Sequence, residues 1–151
     1  MDAMGMAFEE ARAAAARGEV PVGAVVVSAA GAVLARAGNR TEADCDASAH
    51  AELLALRAAA RAVGSARLVG CDLYVTLEPC AMCAGAISAF RVRRLVFGAY
   101  DVKGGGVEHG ARVFATQGAV HRPEVVGGVR EIEAGALLRG FFAGLRRGDD
   151  V

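Results

Sequence analysis

Tryptophan is absent from this 151-residue chain, prolines number three, and aromatic residues make up only 5%. Large rings therefore cannot dominate its core. Small side chains must pack it, and 34 alanines and 20 glycines supply them. Lysine is almost missing as well: Lys103 stands alone against 16 arginines, a bias of codon usage rather than of chemistry. Neither sign of charge is in excess, with 17 acidic and 17 basic residues. Composition thus does not indicate a strongly basic nucleic-acid binder and leaves only a local basic patch open. Long apolar runs are lacking too. The longest uncharged stretch, Val20 to Ala35, is interrupted by Pro21, Gly23 and Gly31 and falls short of the roughly 18 residues of a membrane span. The first residues include Asp2, Glu9 and Glu10, without the basic start and apolar block of an export signal, so a cytoplasmic location is expected.

What is present is a foldable composition. Hydrophobic residues at 54% and charged residues at 23% exclude disorder, and the length suits one domain over residues 1–151. There are four cysteines, Cys45, Cys71, Cys80 and Cys83. Without an export signal a disulfide is not expected, and Cys80-x-x-Cys83 reads as metal or redox chemistry. Cys71 opens a strand and reads as a small buried residue, whereas Cys45 sits in a polar loop.

Met4 to Arg17 reads as an Ala-rich helix stopped by Gly18. Val20 to Ser28 reads as a buried strand, turned at Ala29-Ala30-Gly31 into an antiparallel partner, Ala32 to Ala37. Ser48 is the expected cap of a helix through Val63, with Leu53, Leu54, Leu56 and Val63 on its apolar side and Gly64 at its end. Cys71 to Leu77 reads as a strand; Pro79 breaks it and opens a helix from Cys80 to about Ser88. Val92 to Gly98 and the short Val125-Val126 are further strands. Glu131 to Arg147 closes the chain as a helix, with Ile132, Leu137, Leu138, Phe141, Phe142 and Leu145 expected inward. Strands alternating with helices, after a first hairpin, predict an α/β fold: a three-layer α-β-α arrangement around one mixed five-stranded sheet.

Two helix starts carry the chemistry, Ser48-Ala49-His50-Ala51-Glu52 and Thr76-Leu77-Glu78-Pro79-Cys80-Ala81-Met82-Cys83. Cys80 and Cys83 are three apart and share a helix face. At a first turn, unpaired N–H groups and the helix dipole lower a thiol pKa, so the pair offers two thiolates to one metal. Two ligands are too few for zinc. His50 is the best third, because His109 and His121 fall in a loop-rich region. Three protein ligands with a fourth position open are the pattern of catalytic zinc. Glu52, beside His50 but not ligating, would then move protons between an activated water and a substrate nitrogen. A Cys-x-x-Cys pair alone is also a structural zinc half-site or a redox pair, and a lone histidine at a helix start is usually an ordinary cap. Neither accounts for His50-Ala51-Glu52. The joint pattern, His-x-Glu followed later by Pro-Cys-x-x-Cys, is the signature of zinc nucleobase deaminases.

The chain resembles the bacterial tRNA-specific adenosine deaminases of the zinc-dependent cytidine and deoxycytidylate deaminase superfamily. The likeness runs from Glu19-Val20-Pro21-Val22-Gly23-Ala24 to the closing helix. It includes Gly38-Asn39-Arg40, Tyr74 to Cys80, Cys83-Ala84-Gly85-Ala86-Ile87, Phe97-Gly98-Ala99, Asp101-x-Lys103-Gly104-Gly105 and Leu137-Leu138-x-x-Phe141-Phe142. The resemblance implies a cytidine deaminase-like fold and one Zn2+ per subunit on His50, Cys80 and Cys83, with Glu52 as the catalytic proton shuttle. It implies hydrolytic conversion of the wobble adenosine of a tRNA anticodon loop to inosine by a homodimer. Asn39, Val20, Pro21 and Ala51 would form the base pocket. Asp101 and Lys103 would lie near the ribose and backbone, and Phe142 and Arg146 near the RNA groove. Each of these also has an ordinary role: Asn39 in a turn, Val20, Pro21 and Phe142 in packing, Asp101 and Lys103 in a solvated loop. The chain departs from the family at Ala47 and Ser48, where Pro-Thr is common, at Gly38, often aromatic, and across Val107 to Pro123.

Other functions remain open at this point. A deaminase of guanine, cytosine or a nucleotide would carry the same zinc motif. A non-catalytic zinc-binding tRNA subunit would lack the shuttle carboxylate, which is here Glu52. Arg91, Arg93 and Arg94, or Arg139, Arg146 and Arg147, would form the local basic patch or simply a solvated rim.

Overall fold

Five consecutive small apolar residues, Gly23–Val27 (β1), are all buried, which places this strand inside a sheet covered on both faces. The structure, a computed structural model, describes residues 1–149. Its other elements are α1 (Ala3–Ala16), β2 (Val33–Gly38), α2 (Ala51–Val63), β3 (Asp72–Leu77), α3 (Ala81–Ala89), β4 (Arg94–Ala99), β5 (Glu124–Val126) and α4 (Glu131–Asp149), with a 3-10 turn at Val113–Ala115. The strands lie in the order β2-β1-β3-β4-β5. β1 is antiparallel to β2 and β3, whereas β3, β4 and β5 run parallel. The mixed five-stranded sheet and its two helix layers are those the sequence predicts.

Side chains alternate across β1. Val25 and Val27 join Met4, Ala7 and Phe8 of α1 and Ala134 of α4 in one core. Ala24 and Val26 join Ala51, Ala55 and Ala59 of α2, Ala84 and Ile87 of α3, and Leu73, Leu95 and Phe97 in the other. Phe8 and Phe97 are fully buried in these two cores, and each contributes about 1.5–3 kcal/mol over an exposed ring. The layers approach closely because the facing residues are small. A side chain at Gly23 would run into the Ala7 carbonyl oxygen of α1.

Several expectations are corrected. α2 begins at Ala51, not after Ser48, and its cap position is His50. The Ser48 N–H and hydroxyl both donate to Asp46 Oδ1, at 2.8 and 2.7 Å, so Ser48 serves the loop. The first N–H of α2, that of Ala51, donates instead to Asn39 Oδ1 at 2.9 Å. The buried face of α2 is Ala51, Glu52, Ala55, Leu56 and Ala59; Leu53 and Leu54 are half-buried and Val63 is exposed. Gly64 ends the helix as expected, at φ 71°. On α4, Ile132, Phe142 and Leu145 are exposed rather than inward, and only Ala134 is fully enclosed. A helix of 19 residues is about 28 Å long, whereas the six-residue strand beneath it spans about 20 Å. Its C-terminal half therefore has little sheet to cover. No helix among the described residues is long and apolar enough to cross a membrane.

Candidate active site

β3 ends at Leu77, and Glu78-Pro79 leads into Cys80, which caps α3 in an extended conformation. His50 caps α2 in the same way. Two helix N-termini thereby converge beyond the end of β3, where orphan N–H groups favour negative charge. His50 Nδ1 lies 3.6 Å from Cys80 Sγ and 3.5 Å from Cys83 Sγ. All three donor atoms lie within 4.8 Å of one another. For a tetrahedral zinc with bonds of roughly 2.05 Å to nitrogen and 2.3 Å to sulfur, the N···S separation is about 3.6 Å. The donor set fits zinc in both chemistry and spacing.

The electrostatics agree. The Cys80 thiolate accepts from the Cys83 thiol and from the His50 ring; these outweigh burial and bring its pKa down to about 4. Cys83 is pushed up by the same hydrogen bond to Cys80 and by burial. The two thiols are thus coupled through one hydrogen bond, where a divalent cation would bind both. The bond to Cys80 also raises the His50 pKa, with burial opposing. Glu52 is 4% exposed, and burial raises its pKa above the usual carboxylate range. A carboxyl buried beside these donor groups is placed to exchange protons with a bound substrate.

Above these groups opens a cavity of about 330 Å³. Val20, Val22 and Leu77 form apolar lining; His50, Glu52 and Cys80 supply the reactive groups; Asn39, Thr41, Glu78, Asp101 and Gly104 complete the lining. A neighbouring groove of about 450 Å³ shares Val20, Leu77, Asp101 and Gly104 and adds Tyr100, Val102, Lys103, Leu138 and Phe142. Behind Asn39, the buried Glu19 carboxylate accepts from Ala43 N–H at 2.9 Å, Glu42 N–H at 3.1 Å and Thr41 Oγ1 at 3.4 Å. It ties down the loop that follows Asn39.

Residues 1–99 match the family described as the cytidine and deoxycytidylate deaminase zinc-binding region. The chain belongs to this deaminase family. The deaminase is 52% identical to the tRNA-specific adenosine deaminase of Agrobacterium fabrum over 146 residues, 97% of this chain and 95% of that one. It is 47% identical to that of Bacillus subtilis over 141 residues, 93% of this chain and 87% of that one. Among solved structures it resembles one from a study of A-to-I editing by tRNA:A34 deaminases at the wobble position of transfer RNA. That likeness has 52% identity and a TM-score of 0.88 over 90% of this chain and 98% of the other.

The structure of the deaminase brings together His50, Glu52, Cys80, Asn39, Val20 and Asp101 at one cavity, with Cys83 beneath, and Lys103 and Phe142 along the adjoining groove. Pro21 is buried, and neither it nor Ala51 lines the cavity. Ala51 meets the site through its N–H to Asn39. Arg146 is exposed near the end of α4 and lines neither the cavity nor the groove. Arg93 pairs with Asp72 at 2.6 Å and Arg94 with Glu124 at 3.0 Å, so most of the basic cluster near β4 is neutralised. Cys71 is buried, Cys45 is exposed, and neither belongs to the metal cluster. Sequence reasoning missed Thr41, Leu77 and above all Glu78. A carboxylate at the end of an apolar strand was the available signal, because such a group needs many partners to be buried.

Proposed function

We propose that this protein is a zinc-dependent tRNA adenosine deaminase, hydrolysing the wobble adenosine of an anticodon loop to inosine and releasing ammonia. The observation that carries this reading is the tetrahedral spacing of His50, Cys80 and Cys83 beside a buried Glu52 at a base-sized cavity. The full-length likeness to tRNA-specific adenosine deaminases supports the substrate.

His50, Cys80 and Cys83 would hold one zinc ion per chain. Zinc, when bound, supplies a water acidic enough to act as a nucleophile at neutral pH. Glu52 would carry one proton from the attacking water to the ring nitrogen beside the reacting carbon and the water's second proton to the amine, which leaves as ammonia while the oxygen stays on carbon. The Asn39 amide would hydrogen-bond the purine. Val20 would wall the base, with Pro21 and Ala51 supporting the pocket from behind. Such a cavity admits only an unstacked base, which suits a flexible anticodon loop. Asp101, Lys103, Phe142 and Arg146 would contact the ribose, the backbone and the flanking nucleotides.

One cavity recognises a base but not a tRNA. Specific nucleic-acid interfaces bury on the order of 1,000 Å² or more. A homodimer of this single domain gives that surface most simply, and the exposed Met82 and Ala89 with the half-buried Gly85 and Ala86 of α3 offer a face for close packing. A tRNA-modifying enzyme of this kind would work in the cytoplasm. The discriminating experiment compares ammonia release from a tRNA bearing a wobble adenosine with release from free guanine, free cytosine and dCMP. Turnover of the tRNA alone supports the proposal. Turnover of a free base or dCMP alone moves the protein to another branch of the family.

A further inference from the structure

Glu78 stands between the end of β3 and the Pro79-Cys80 turn, and its side chain is wholly enclosed. The residue borders the cavity, but its enclosed carboxylate is taken up by the protein, and more groups converge on it than on any zinc ligand. Oε1 accepts from the Asp101 N–H at 3.1 Å and from His109 Nδ1 at 2.8 Å. Oε2 accepts from three successive N–H groups, those of Val107, Glu108 and His109, at 3.2, 3.0 and 3.1 Å. Five donors meet a carboxylate with about four lone-pair directions, so its hydrogen-bonding capacity is saturated.

The first residues of the segment these donors come from wall the cleft. Asp101 and Gly104 line both the cavity and the groove. The same segment is pinned a second time by Gly106 N–H to the Pro79 carbonyl at 2.8 Å. Its backbone lies flush on the zinc-ligand turn. A side chain at Gly105 would strike Glu78 Oε2, and one at Gly106 would strike Ala81 N. His109 carries the network outward, its ring edge-on to Tyr100, which lines the groove.

We infer that Glu78 is a positioning residue for the reaction: its carboxylate sets the 101–109 segment, whose first residues, 101–104, wall the substrate cleft, against the turn that carries Cys80 and Cys83. The carboxylate bridges the two ends of that segment. Glutamine cannot replace it. With its oxygen toward Val107–His109, its amide meets the Asp101 N–H donor to donor; turned over, the amide meets the three N–H groups. Either way one end of the segment is released while the metal ligands keep their own geometry. The role therefore shows in substrate capture rather than in the chemical step.

This inference rests on the proposed deaminase reading, and the test keeps the two apart. Glu78→Gln and His109→Ala are prepared with zinc, and four quantities are read: zinc per chain, amide hydrogen exchange of residues 100–113 against that of β3, and the kcat and the KM of an anticodon stem-loop. For Glu78→Gln, zinc stays at the wild-type ratio, exchange of 100–113 quickens about tenfold or more relative to β3, and KM rises about tenfold while kcat stays within a few-fold. His109→Ala, which deletes the one partly exposed donor side chain, shifts exchange and KM the same way by less. It keeps the inference open to refutation if Glu78→Gln does not fold. Unchanged exchange, unchanged KM, or zinc lost in step with activity would overturn it. Should the stem-loop not be a substrate of the wild type, exchange and zinc are still read, and kinetics use whichever base the wild type deaminates.

Discussion

Asn39 would perform two tasks with one amide, and two substitutions separate them. Its Oδ1 receives the Ala51 N–H that starts α2, while its Nδ2 has no partner in the protein among the described residues and the residue lines the cavity. Asn39→Ala deletes both groups. The Ala51 N–H is then buried and unpaired, a loss of about 1–3 kcal/mol. For a domain of this size that lowers Tm by roughly 2–12 °C. Asn39→Asp keeps the acceptor and places a charge at a helix N-terminus, where it is favourable, so Tm moves by no more than about 4 °C. In the cavity, however, a carboxylate oxygen replaces the donor, and a purine nitrogen would face an acceptor. The resulting loss of about 1–3 kcal/mol predicts a fall in kcat/KM of roughly 10- to 100-fold. Thermal melting and deamination kinetics on the two zinc-loaded variants read both effects. Wild-type kcat/KM in Asn39→Asp, or wild-type melting in Asn39→Ala, would refute the division of labour.

Glu52→Gln retains zinc and fold but loses turnover by about 10²–10⁴-fold for each proton transfer the carboxyl carries, measured by ammonia release. Cys83→Ala and Cys80→Ala drop the metal content well below one zinc per chain by elemental analysis. Glu19 is held below its ordinary value of 4.5, chiefly by the Ala43 N–H and also by the Glu42 N–H, the Thr41 hydroxyl and Arg17. Its contribution to stability is therefore complete above that value and fades as the pH falls through the lowered one. In urea titrations the gap between wild type and Glu19→Gln is largest near neutrality and closes in acid. Light scattering at micromolar concentration gives twice the 15.4 kDa chain mass; a monomer with full tRNA activity would count against the dimer.

The legible parts of the fold were those in which one residue type has one physical meaning. Gly18 and Gly64 stop helices at positive φ, Pro79 separates β3 from α3, and the Val-rich β1 reads as a strand buried on both faces. The clustering of His50, Cys80 and Cys83 was legible because these residue types have few other uses at two helix starts. The misreadings come from alanine, which serves core and surface alike. Leu53, Leu54 and Val63 suggested the apolar side of α2, but the close-packed hairpin prefers Ala51, Ala55 and Ala59, and Val63 is left at the rim. Ser48 suggested a cap, but Asn39, distant in sequence, takes the first helical N–H. The apolar residues of α4 outnumber the sheet available to cover them. The Glu78 network was legible only in part: a carboxylate ending an apolar strand signals buried partners, but those partners come from 23 to 31 residues downstream.

The central claim is tested most directly by sequencing for inosine in total tRNA after incubation with the zinc-loaded protein, with Glu52→Gln as the control. The account predicts inosine at the wobble position of tRNAs that carry adenosine there, absent with Glu52→Gln. No inosine with the wild type, or equal inosine with both proteins, would contradict it.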